Sequence, residues 1–123
     1  MDAKELIKRT RQFCYDCINL CNYLGGNFLN NHVCGQLIRC STSVSANYRA
    51  ARLAQSEASF IAKVSIIIEE ADESSMWLEL IRDKMLLPSK HSEETKRLIQ
   101  ESTELTSIFV STRKTMTARN KRG

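Results

Sequence analysis

Between Phe60 and Met85 the chain places Phe60, Val64, Ile67, Ala71, Ser74, Leu78, Ile81 and Met85 at alternating steps of four and three residues. That spacing lays eight mostly apolar or small side chains on one stripe of a single helix about seven turns long. A helix with such a stripe must bury it against other helices. Its flanks are not purely polar, because Ile66 and Trp77 share one side and Ile61 and Ile68 the other. A helix apolar on more than one face is central or lies at a subunit contact. Ile66 and Trp77, with the acids Glu70 and Glu73, are therefore candidate interface residues.

The rest of the chain supplies partners for that stripe. A first helix is expected over about residues 3–24, with Leu6, Thr10, Phe13, Cys17, Leu20 and Leu24 as its seam. Gly25-Gly26 ends it, since glycine readily takes the left-handed conformation used at helix C-termini. Asn27, Asn30 and Asn31 supply caps for a second helix over about 31–54. Its inward stripe is Val33, Leu37, Cys40, Val44, Tyr48 and Ala51. On the opposite side, small residues (Thr42, Ser43, Ala46, Ala50) let another backbone come close, while Arg39 and Arg49 project past them. Ser56 caps the third helix, 57–86, which Pro88 closes. The fourth, over about 92–118, presents Leu98, Leu105, Phe109, Thr112 and Met116, and its last residues are expected to fray. Residues 1–123 thus form a single all-α domain, an antiparallel up-and-down four-helix bundle.

Composition excludes several classes. One Pro and four Gly favour a few long helices over many strands. There is no apolar run long enough for a membrane span and no signal-peptide core in the charged N-terminus, so a cytoplasmic protein is expected. The five cysteines are then free thiols. Charge is segmental. Residues 1–55 carry seven Lys/Arg against three Asp/Glu, residues 56–87 carry three against seven, and residues 88–123 carry eight against four. An acidic third helix thus sits among basic neighbours. That pattern serves charge complementarity within or between subunits, or lines a nucleic-acid surface.

Catalytic and metal chemistry find little support. Cys14, Cys17 and Cys21 share one helix side, but they overlap the apolar seam, where cysteine acts as a small hydrophobe. Neither His32 nor His91 has a Glu three residues before it, so the carboxylate-bridged di-iron pattern is absent. The acids Glu69, Glu70, Asp72, Glu73, Glu79 and Asp83 mostly fall off the stripe, as solvated or interface charges do. No glycine-rich phosphate loop is present. The chain reads as a non-enzyme with no cofactor and no metal.

The basic set remains: Arg39, Arg49, Arg52 and Lys63, with Arg113, Lys114 and Arg119 as a second patch. Arginine pairs with phosphate through planar forked donors, giving binding with little sequence selectivity. Few exposed aromatics interleave with these charges, so base stacking is not indicated.

From Gln36 to Ile81 the chain resembles the four helix bundle protein family, also called 23S rRNA intervening-sequence proteins. The accessory variability determinant of diversity-generating retroelements is related. Gln36-Leu37-x-Arg39, Ser43-Val44-x-Ala46-Asn47, Ser56, Phe60, Ser65 and the acid-rich Glu69–Glu79 carry the likeness. Many members continue Ala-Asn-Ile-Ala-Glu-Gly, whereas here Ala46-Asn47 precedes Tyr48-Arg49-Ala50-Ala51, which makes the second helix more basic. The resemblance implies a bundle assembled into a ring-like homopentamer. For the retroelement relatives it implies nucleic-acid binding and association with a reverse transcriptase. The expected function is an oligomeric, RNA-binding bundle. The alternative is an interaction scaffold whose arginines pair with third-helix acids of a neighbouring subunit.

Overall fold

The computed structural model describes residues 1–122. Four α-helices run α1 Ala3–Cys21, α2 Phe28–Arg52, α3 Glu57–Asp83 and α4 Ser92–Arg122, with a 3₁₀ turn at Ser89–His91 before the last. Each helix packs against the next, and α4 closes back on α1, so the bundle is up-and-down. Side-chain caps start the first three helices. Asp2 accepts from the Glu5 N–H at 2.8 Å, Asn27 from that of Asn30 at 2.8 Å and Ser56 from that of Ser59 at 3.0 Å.

The expected stripes are the buried ones. Phe13, Cys17 and Leu20 of α1 and Val33, Leu37, Cys40 and Val44 of α2 are almost wholly inaccessible. They meet Val64, Ile67, Ala71, Leu78 and Ile81 of α3 and Leu98, Leu105 and Phe109 of α4. At mid-height the core is lined by small polar groups. Ser75 of α3 shares a hydrogen bond with Ser102 of α4, and Ser74 donates to the Cys40 sulfur at 3.1 Å. Each of these serines also has a carbonyl of its own helix within reach: Glu70 for Ser74, Ala71 for Ser75 and Ile99 for Ser102.

Helix ends differ from the sequence expectation. α1 stops at Cys21, and Tyr23 and Leu24 donate to the carbonyls three residues back at 3.1 Å, a tightened last turn. Neither Gly25 nor Gly26 takes a positive φ, so glycine's left-handed freedom does not terminate this helix. Instead the Asn30 side chain donates to the Gly25 carbonyl at 2.9 Å. α2 begins three residues earlier than expected, at Phe28 behind its Asn27 cap. α3 ends at Asp83, and Met85, assigned above to its stripe, is 81% exposed with φ 51°. Met85 is the left-handed residue of a Schellman-type close, in which the Leu86 N–H bonds the Ile81 carbonyl at 3.0 Å and the Met85 N–H that of Arg82 at 3.1 Å. α4 continues as helix to Arg122 rather than to 118.

Helix lengths are unequal. α1 has 19 residues and α4 has 31, about 28 Å against about 46 Å at 1.5 Å per residue. The α1–α4 seam is the thinnest of the four. Arg9 grips Glu101 with two 2.7 Å hydrogen bonds and reaches Glu104 at 2.9 Å, and Arg97 reaches Asp16 at 2.8 Å. The remainder of α4 runs on beside the start of α3.

Candidate nucleic-acid interface

Antiparallel topology decides where the charges gather. The C-termini of α2 and α4 and the N-termini of α1 and α3 share one end of the bundle. Residues 110–122 of α4 contain five Lys/Arg and no Asp/Glu. Arg52 from the end of α2 and Arg119 from α4 line one hollow of about 460 Å³ there. Arg119 lies 3.6 Å from Glu57, a loose pair. Arg113 and Lys114 lie with Val110 and Lys121 along one open face of α4, and Arg113 also approaches the Ser65 hydroxyl at 3.4 Å. Lys63, half-buried on α3, has no ion-pair partner among the described residues. Arg52 and Lys63 of the first expected patch thus share one end of the molecule with Arg113, Lys114 and Arg119 of the second.

Arg39 does not belong with them. It stands between α2 and α3, donating to Glu70 at 2.9 Å, to Glu73 and to Gln36 at 3.2 Å. The hydrogen bond to Glu73 and the two carboxylates' charges raise its pKa, and it is held by them. The same bonds pair Glu70 and Glu73 inside the chain. Hydrogen bonds from Arg39 and then from Trp77 hold the Glu73 carboxyl below the usual carboxylate range. The Trp77 indole N–H reaches Glu73 at 3.1 Å while its ring packs on the core and edge-on to His32 at 5.5 Å. Trp77 is therefore half-buried in its own bundle. Of the expected interface residues, Ile66 alone is an exposed apolar group, at 37%.

Arg49 lies apart from these residues, in a groove of about 450 Å³ between α1 and α2. Facing it from α1 are Arg11 and Tyr15, neither singled out by the sequence. Tyr15 is 52% exposed, an accessible aromatic beside basic residues where few were expected. The available signal was the i, i+4 spacing of Arg11 and Tyr15 on the outer flank of α1. What hid it was the rotation of α1 about its axis relative to the small-residue side of α2.

The buried thiols are held as packing groups. Burial, with Cys34 alongside, pushes Cys21 up to about 12, and burial also raises Cys14, Cys17 and Cys40. Thiols so far from ionising are poor nucleophiles and poor metal ligands. No group of three His, Cys, Asp or Glu is assembled as metal ligands among the described residues. No helix there is long and apolar enough to cross a membrane.

The fold and its charge distribution define a small all-α four-helix-bundle protein with a strongly basic end. The model of the 23S rRNA-intervening sequence protein family matches residues 3–108, and the chain belongs to that family. It is similar, at 30% identity and TM-score 0.80, to a crystal structure of a protein of unknown function from the S23 ribosomal protein family of Bacteroides thetaiotaomicron. That likeness covers 93% of this chain and 99% of the other. No curated protein sequence matches the chain.

Proposed function

We propose that this protein is a non-enzymatic, oligomeric bundle that binds RNA or structured nucleic acid through its basic end. The observation that carries this reading is the gathering of Arg52, Lys63, Arg113, Lys114 and Arg119 at one end. Among the described residues, Glu57 is the only carboxylate in ion-pair range of any of them. Guanidinium and ammonium groups presented this way bind phosphates without reading bases. The family name, which ties these proteins to rRNA genes, agrees with an RNA partner. A non-catalytic role fits the acids of α3, which are ion-paired or solvated rather than set in a dry cleft. A ring-like homopentamer, implied by the family resemblance, accords with exposed Ile66, Met76 and Val110 on the outer faces of α3 and α4.

Titration of labelled RNA across salt concentrations tests the reading. Wild-type affinity falls steeply with salt, and Arg52→Glu/Lys114→Glu weakens binding and lowers the salt slope by about one for each phosphate no longer neutralised. Absence of binding at low salt, or an unaltered variant, overturns it. If the variant instead breaks into smaller species on light scattering, these residues serve subunit assembly, and the scaffold reading replaces this one.

A further inference from the structure

The groove between α1 and α2 is chemically unlike the basic end. It combines two guanidinium groups, Arg11 and Arg49, with an exposed phenol ring, Tyr15, and small polar residues, Thr42 and Ser45. Neither arginine has an ion-pair partner among the described residues, and no carboxylate lines the groove. Ser45 is half-buried, and its hydroxyl has no hydrogen-bond partner among the described residues. Thr42 donates to the Ile38 carbonyl at 2.6 Å and keeps its oxygen's lone pairs for accepting.

A protein partner would have to bring its own carboxylates, since burying two arginines without them strands both charges out of water. On a second copy, Glu70 and Glu73 are held by Arg39, which leaves Glu69, Asp72 and Glu79 as the exposed α3 acids that could meet the groove. Such acids offer nothing to the Tyr15 ring. An anion with a flat apolar body suits all the groups at once. Arginine forks a phosphate in bidentate fashion, and an exposed aromatic ring stacks a base of any identity. Arg11 and Tyr15 are one helical turn apart, a rise of about 6 Å, so a phosphate and its neighbouring base can meet both. The hollow, about 450 Å³, has the volume of a small-ligand site. A base inside a duplex has no face free to stack on Tyr15, whereas an unpaired one does.

We infer that the α1–α2 groove holds one unpaired nucleotide of an RNA strand, its phosphate between Arg11 and Arg49 and its base on Tyr15. This rests on the nucleic-acid reading above and adds a single-strand preference that the basic end does not provide. The groove also gives Arg49 a task, at the position where this chain departs from the commoner Ala-Asn-Ile-Ala-Glu-Gly pattern.

The test compares a single-stranded RNA 12-mer with a blunt duplex of the same length, with adenosine monophosphate as competitor. Tyr15 and Arg11 are exposed, so Tyr15→Ala and Arg11→Ala keep the core intact. Each variant is expected to weaken the single strand by about five-fold or more, the low end of one base–aromatic stack, and to leave duplex binding unchanged. Arg52→Glu/Lys114→Glu weakens both. Single-strand binding equal to wild type in both groove variants overturns the inference and leaves the basic-end reading standing. Equal losses for strand and duplex also overturn it, as does a change of assembly size on light scattering with strand affinity unaltered, which makes the groove a subunit interface. Monophosphate that displaces the strand at the strand's own concentration reassigns the groove to free nucleotides. A wild-type protein that binds neither RNA at low salt removes both readings together.

Discussion

Met85 shows how much one residue's backbone can cost. Its φ of 51° lies where a side chain crowds the following carbonyl, a penalty of about 1–2 kcal/mol for residues other than glycine. Its side chain is 81% exposed and recovers little by packing. The Schellman-type bonds of Met85 and Leu86 to Arg82 and Ile81 hold it there. Met85→Gly relieves the strain, offset in part by glycine's extra freedom in the unfolded chain. The variant is expected to be more stable by up to about 1 kcal/mol, read as a higher urea midpoint at unchanged m-value. A lower midpoint would mean that the Met85 side chain contributes more at the mouth of the α3–α4 turn than its exposure indicates. The sequence pointed the wrong way here, because Met85 continues the apolar spacing of α3 while lying outside it. Periodicity records side-chain type and is blind to the sign of φ.

At the scale of helices, α1 is the element held least firmly. It is the shortest α-helix, and Arg9 and Arg97 bridge its thin seam with α4. The Arg9 side chain is 25% exposed and that of Glu101 18%, and Arg9's pKa is raised chiefly by its hydrogen bonds to Glu101. A bidentate, partly buried pair of this kind contributes about 1–2 kcal/mol. Arg9→Ala should lower stability by about that amount, with amides of α1 gaining hydrogen exchange before those of α3. Uniform acceleration across all four helices would show that α1 does not open separately. The stripes of all four helices were legible in the sequence, since steps of three and four residues leave few alternatives for Val33, Leu37 and Val44 or for Val64, Ile67 and Ala71. The partners of Arg39 and the company of Arg49 were not. They depend on how each helix is rotated and how far it slides against its neighbour, and neither quantity is written in a single helix's pattern.

For the molecule as a whole, the basic end and the ion-paired middle divide the labour of the charges. Arg9, Arg39 and Arg97 are tied to acids of the same chain, whereas Arg52, Lys63, Arg113 and Lys114 at one end face solvent or a ligand. Global stability also acquires a pH dependence from the buried thiols. An unfolded cysteine ionises near its ordinary value of 9.0, whereas native Cys21 holds its proton until about 12. The unfolded state therefore releases protons first as pH rises. The stability these thiols contribute is complete below about pH 9 and is lost as pH climbs toward about 12. Denaturation midpoints should fall between about pH 8 and about pH 10.5, and less steeply in Cys21→Ala. Equal slopes for the two proteins would mean that Cys21 ionises in the native state as freely as in the unfolded one.

The serines at mid-height, Ser74, Ser75 and Ser102, give the bundle a tolerance that a purely apolar layer lacks. Each hydroxyl has an acceptor in its own helix as well as a neighbour across the interface. Losing the neighbour therefore leaves no buried group orphaned, and the usual penalty for breaking a buried polar pair does not arise. Exchanges that keep the volume, such as serine to alanine, can enter this layer one at a time and on either side without orphaning a partner. Ser74 and Ser102 are wholly buried, so the freedom is one of polarity and not of size.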